Sequence, residues 1–148
     1  MSTLKRKTKE ELRQRLVRSA KRYLGRPYYY GAKISHAPSR FDCSSFIKFV
    51  YRKIGIDLPR PSLKMAGMGR RVPKKLKRLE LGDLLFFHGT QGRYSPMFPE
   101  GIGHVAMYIG EGKIIHAKWH PKGRGRVEDA SAVEWLLRRD LVVIKRIL

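Results

Sequence analysis

Apolar positions along this chain change period, and the changes mark its elements. Leu12, Leu16, Ala20 and Tyr23 recur at helical intervals until Gly25 and Pro27 stop the pattern. Thr8 and Glu11 stand at capping-box spacing just ahead of it, so a helix is predicted whose polar face carries Arg13, Arg15, Arg18, Lys21 and Arg22. Residues 28–40, with Gly31, Pro38 and two serines, keep no period and read as loop. Cys43, Phe46, Ile47, Val50, Tyr51 and Ile54 then fall on one apolar stripe that ends at Gly55, a second helix. Asp42 occupies its N-cap position, which places Cys43 in the first turn.

From Pro59 to Arg78 the composition shifts to Pro, Met, Gly and eight Lys/Arg residues, which predicts a long basic surface segment with at most a short helix. Beyond it the period becomes that of strands: Leu84 to Phe87, Val105 to Ile109, Lys113 to Ala117 and Leu141 to Ile147, each bounded by glycines or polar turns. Between the first two lies a Gly- and Pro-rich loop, His88 to Gly103, long enough to suspect a functional part. Ala132 to Arg139 suggests a short helix. Helices first and a run of strands later give an α+β class, with N-terminal helices packed on a small antiparallel sheet.

Composition changes this picture in one respect. The chain has 148 residues, a length for one domain spanning 1–148, and 42% of them are apolar, enough for a packed core. Yet 33 Lys and Arg face 12 Asp and Glu, a formal net charge of +21. Such self-repulsion persists where a polyanion is met, whether nucleic acid, anionic lipid or an anionic wall polymer. No apolar run reaches the ~18 residues a membrane span needs. Lys5, Arg6 and Lys7 imitate the basic start of a secretion signal, but the charged stretch from Thr8 to Arg22 supplies no apolar continuation, so residues 1–7 are expected to be a flexible basic tail without a readable export signal. The arginines of the first helix are most simply a solvated face, with a polyanion contact as the alternative.

A single cysteine excludes an internal disulfide framework and a multi-cysteine metal site. Cys43 is therefore a buried bystander, an intermolecular partner or a nucleophile. A thiol attacks carbonyls as thiolate, and a helix N-terminus and a nearby imidazole both favour that form. Two of the five histidines lie in strand-like runs: His104 opens one, and His116 closes the next after Gly110-Glu111-Gly112. If the connecting loop has three residues, Ile109 faces Lys113 and facing positions sum to 222, so His116 lies opposite Ala106 with His104 its diagonal neighbour on the same face. A two-residue turn without a bulge would put the histidines on opposite faces, so a three-residue loop is predicted. The alternatives are two unrelated sheet histidines, or a metal site drawing on His104, His116, His120 and Cys43. His36 and His88 sit in loops and read as solvated.

Six ordered segments then carry a resemblance: Leu24-Gly25-Arg26-Pro27-Tyr28-Tyr29-Tyr30-Gly31, Phe41-Asp42-Cys43-Ser44-Ser45-Phe46, Leu58-Pro59-Arg60, Leu81-Gly82-Asp83-Leu84-Leu85-Phe86-Phe87, Gly103-His104-Val105-Ala106-Met107-Tyr108-Ile109-Gly110 and Ile115-His116-Ala117. In that order they resemble the motifs of the NlpC-type cell-wall cysteine peptidases, from about Leu12 to the end of the chain. The resemblance implies a papain-like fold with Cys43 as nucleophile, His104 as general base, His116 as the orienting residue and the Tyr28 phenol beside the nucleophile, helping to hold the oxyanion. Asp42, Ser44 and Ser45, flanking Cys43, are expected to contact substrate. The implied reaction is thiol acyl transfer without metal or cofactor, on the D-γ-glutamyl bond to a diamino acid in peptidoglycan stem peptides, by a monomer.

This sequence departs from the family pattern in three places. Ser45 and Ala32 stand where glycines are usual, and both are expected to crowd backbone near the site. The loop His88 to Gly103 is longer than is common and alters the rim. The chain as written also shows neither the export signal nor the wall-binding module expected of a secreted hydrolase, so the compartment stays open between the cell wall and the cytoplasm. Two other functions compete with stem-peptide hydrolysis: the same thiol chemistry on another amide or ester, lipid acyl groups included, and a polyanion-binding module. The second rests on Arg70, Arg71, Lys74, Lys75, Lys77 and Arg78, with Lys122, Arg124 and Arg126 later, segments that lack an aromatic stacking platform for single-stranded nucleic acid.

Overall fold

The computed structural model describes residues 8–148, so the basic tail expected at 1–7 lies outside the described residues. Thr8 and Glu11 form the capping box that their spacing predicts, and helix α1 runs Lys9–Lys21 with Leu16, Val17 and Ala20 buried. Arg13 is not part of the solvated face: its guanidinium turns in to the Leu148 carbonyl at 2.7 Å and to Glu80 at 3.1 Å. Helix α2, Cys43–Arg52, buries the stripe read from its apolar period, with Phe46, Ile47, Val50 and Tyr51 inaccessible to solvent.

The basic segment after Pro59 has more order than its composition suggests. It holds the short helix α3 (Ser62–Met65) and a two-residue strand β1 (Arg70–Arg71), and Met65, Ala66 and Val72 are buried. The four strands read from the sequence appear as β2 (Leu84–Phe87), β3 (His104–Gly110), β4 (Lys113–Lys118) and, last in the chain, β6 (Leu141–Arg146). Between the latter two lie strand β5 (Arg126–Ser131) and helix α4 (Ala132–Leu136). The sheet is antiparallel throughout, in the order β1-β6-β2-β3-β4-β5. β1 and β5, absent from the pattern-based reading, are its two edges. Charged edge strands resist pairing with other chains but leave no apolar alternation to read.

β2 is apolar throughout because both sheet faces are covered. Leu84 and Phe86 join Val105, Met107 and Ile115 beneath α1 and α2, whereas Leu85 and Phe87 join Ala106, Ile114 and Ile144 beneath α4, where Trp135 packs.

The β3–β4 hairpin reaches the expected register by a different route. Met107 faces Ile115 and Tyr108 faces Ile114, so facing positions sum to 222, but Gly110 rather than Ile109 faces Lys113. The turn is therefore not the predicted three-residue loop but the two-residue Glu111-Gly112, with positive φ at both positions (53° and 72°), the conformation whose twist matches the flanking strands. An irregularity between Tyr108 and Gly110 restores the register, Ile109 being the extra residue. The bulge is what keeps both histidines on one face.

Candidate active site

The first turn of α2 is built by Asp42 and Ser45. Asp42 Oδ1 accepts the Ser45 amide at 2.8 Å, and the Ser45 hydroxyl accepts the Asp42 amide at 2.9 Å. Ser45, expected to crowd the site and touch substrate, is instead fully buried and closes this cap. The two remaining first-turn amides, those of Cys43 and Ser44, have no helical carbonyl four residues back to bond. Arg60 reaches across from the segment before α3, pairing with Asp42 at 2.8 and 3.0 Å and with the Ser44 hydroxyl at 3.0 Å.

Cys43 thus sits at a rigid helix start, on the wall of a cleft of about 850 Å³ that Tyr28, Asp42, Ser44 and His104 also line. Its sulfur lies 3.7 Å from the Gly103 carbonyl, toward which the thiol points. Burial, and next the Asp42 carboxylate, push the thiol up to about 12, against the pull of Arg60 and of hydrogen bonds from the Val105 and Ser44 amides. The lowering expected from the helix N-terminus is outweighed, because desolvation acts on the whole charge of a thiolate while the dipole acts on a fraction of it.

His104 and His116 meet through a bond of 2.8 Å between His104 Nε2 and His116 Nδ1. Burial, with help from Lys118 and Arg138, holds His104 down to about 3 and likewise lowers His116. Burial thus favours the neutral form of both rings and of the thiol that shares the cleft with His104. Such a set can pass a proton from sulfur to imidazole when a substrate carbonyl arrives, without storing a separated ion pair beforehand. Tyr28 is held protonated by burial and by the proximity of Cys43 and Asp42, so its hydroxyl remains a donor.

The other histidines serve loops. His120 pairs with Glu128 at 2.9 Å rather than joining His104 and His116. His36, read as solvated, accepts the Lys33 amide at 3.1 Å, and His88 donates to the Glu100 carbonyl at 3.0 Å. The loop His88 to Gly103 is ordered by paired hydrogen bonds between Arg93 and Ile102, buries Phe98, and puts Thr90, Gln91 and Arg93 on the cleft wall. Ala32, the other residue in place of a usual glycine, is buried away from that wall.

Arg60, Trp135, Arg138 and Asp140 line the cleft as well, and none was singled out from the sequence. Arg60 stands in a segment that carries the family resemblance. No pattern marks Trp135, whose ring lies perpendicular to His116 with centroids 4.7 Å apart.

Comparison with known proteins identifies the family and the fold. The NlpC/P60 family model matches residues 25–138. A gamma-D-glutamyl-L-lysine dipeptidyl-peptidase of Bacillus cereus is 37% identical over 113 residues, which cover 76% of this chain and 30% of that protein. One of the same name from Bacillus subtilis is 30% identical over 88% of this chain and 40% of its own length. The chain thus spans well under half the length of these curated relatives. Among solved structures, the NlpC/p60 domain of the peptidoglycan hydrolase SagA superposes with a TM-score of 0.67 at 30% identity, covering 90% of this chain and 97% of that one. The architecture is the papain-like α+β fold.

Proposed function

The chain belongs to the NlpC/P60 family, and from that premise we propose that it is a cysteine endopeptidase hydrolysing peptidoglycan stem peptides at the bond between D-γ-glutamate and a diamino acid. The observation that carries the proposal is the His104–His116 bond of 2.8 Å, with His104 lining the same cleft as Cys43 at the start of α2. The names of the two Bacillus relatives favour the γ-glutamyl bond.

In this mechanism the Cys43 sulfur attacks the amide carbon while its proton passes to His104 Nδ1. The oxyanion is held by the Cys43 amide and the Tyr28 hydroxyl. His104 then gives the proton to the departing amine, leaving a thioester. Water, deprotonated by His104, attacks the thioester and restores the thiol. His116 keeps the His104 ring in place through Nε2, and Asp42 and Ser44, tied to Arg60, form the wall beside the acyl group. Incubation with purified wall is expected to release peptides detectable by mass spectrometry, and Cys43→Ala to reduce release at least 10³-fold (roughly, from the loss of covalent catalysis). Wall and stem peptides left uncut by the intact protein would count against the proposal.

A second, accessory property has its own observation. Arg15 and Arg18 of α1, Arg22 at its C-cap and Lys53 after α2 line a recess of about 380 Å³ that contains no acidic side chain. None of the four forms an ion pair among the described residues. Lys53 lies ten positions beyond Cys43, about 15 Å along the helix axis, so an anionic polymer held there stays clear of the cleft. This face suits retention on a phosphate-bearing matrix rather than catalysis.

A further inference from the structure

His116 has two ring nitrogens, and only one is accounted for by its bond to His104. To take a proton from sulfur, His104 must keep Nδ1 bare and carry its own proton on Nε2. That proton is then donated to His116 Nδ1, so the neutral His116 ring carries its proton on Nε2. This atom is buried and has no hydrogen-bond partner among the described residues. With the opposite tautomer, His116 donates through Nδ1, the His104 proton moves to the side of the thiol, and the base is lost. Something must therefore favour a proton on His116 Nε2.

Trp135 is placed to do so. Its ring stands at 90° to His116 with centroids 4.7 Å apart, an edge-to-face pair, and ring N–H groups can donate to aromatic faces. The indole is held from several sides. It packs edge-on with Phe87 at 5.2 Å, and the Arg138 guanidinium lies 4.5 Å from its centroid. Arg138 is fixed by Asp140 at 2.8 and 3.1 Å, and Asp140 accepts the Gly89 amide at 3.2 Å. This chain of contacts ties α4 to the start of the loop that forms the cleft rim.

We propose that Trp135 is a positioning residue, whose indole face receives the His116 Nε2 proton and thereby selects the tautomer that leaves His104 able to accept a proton from Cys43. The role rests on His104 acting as the base. The charged and titratable groups facing the pair are Lys118 and His120 from β4 and its following turn, and Arg138 and Asp140 from beyond α4. None of them reaches His116 Nε2.

Nitrogen-15 NMR of the imidazoles in the wild-type protein, without substrate, is expected to show His116 protonated on Nε2. Trp135→Phe, which retains an aromatic face, is expected to keep that tautomer and to hold kcat/KM on a γ-D-glutamyl-L-lysine stem peptide within about threefold. Trp135→Leu is expected to mix the tautomers, to lower kcat more than about tenfold with little change in KM, and to move the acid limb of the profile upward as water reaches the histidines. A wild-type His116 protonated on Nδ1 overturns the proposal whether or not the leucine variant folds. So does a folded Trp135→Leu with wild-type tautomer and acid limb, or a phenylalanine variant as impaired as the leucine one. If no stem peptide is cut by the wild type, the peptidase reading fails, while the tautomer measurement still decides the part played by Trp135.

Discussion

Charge is handled in opposite ways at the two ends of α2. At its N-terminus both acidic residues lining the cleft are clasped by arginines, Asp42 by Arg60 and Asp140 by Arg138, and the two histidines and the thiol are neutral. Beyond its C-terminus, Lys53, two arginines of α1 and the Arg22 that caps it surround a recess without a counter-charge. The difference follows from solvent. A buried carboxylate without a partner is costly, so both acidic groups of the cleft are paired, whereas exposed cations are hydrated and can remain single, as Arg93 and Lys118 do on the cleft wall itself. The paired end is suited to holding atoms in place and the unpaired end to holding a polymer.

The contrast can be broken most severely with acid. His104 is held far below its ordinary 6.5, at about 3, and His116 is lowered with it. Below pH 6.5 the unfolded chain binds protons at these rings that the folded chain does not, so stability is expected to fall as the pH drops from 6.5 toward 3. Thermal melts across that range should show the loss, and His116→Gln should flatten it; a melting temperature flat between pH 6.5 and 4 would mean the rings are not held neutral by burial. The activity profile follows the same sign, with the acid limb of kcat/KM below the ordinary histidine value.

Removing one member of a paired charge comes next. Arg60→Ala leaves Asp42 without its guanidinium and is expected to cost about 1.5–3 kcal/mol, the range for hydrogen bonds to charged groups, as read by urea denaturation. Ser45→Gly tests the cap beneath the nucleophile. If serine merely crowded the backbone, glycine would stabilise; because its hydroxyl accepts the Asp42 amide at 2.9 Å, a loss of about 1 kcal/mol is expected instead.

The smallest effect on folding belongs to the unpaired end. Changing Arg15, Arg18, Arg22 and Lys53 together to Gln is expected to alter stability by less than about 0.5 kcal/mol per site and to leave cleavage of a small soluble stem peptide unchanged. Retention on teichoic acid, or on a single-stranded oligonucleotide as the alternative phosphate source, should weaken and lose part of its salt dependence. A charge-matched variant at Lys64, Lys75, Lys77 and Arg124 supplies the comparison. Equal weakening by both would mean that binding follows net charge alone, with no part for the recess.

Local chemistry made much of this molecule readable from its sequence. The capping box at Thr8, the stripe of α2, Asp42 before Cys43 and four of the strands all rest on contacts between near neighbours, and those recur wherever the pattern occurs. The hairpin arithmetic also held, because strand side chains alternate strictly, even though a bulge rather than a longer loop supplied the extra residue. What the pattern could not carry was the destination of polar side chains. Arg13 and Arg60 look like the other arginines until the fold brings Glu80 and Asp42 within reach. β1 and β5 become strands only because β6 and β4 offer them an edge. The environment of Cys43 belongs to the same class. Helix position alone predicts a lowered thiol, yet its protonation is set by burial among residues distant in the chain, and desolvation exists only once they have closed around it.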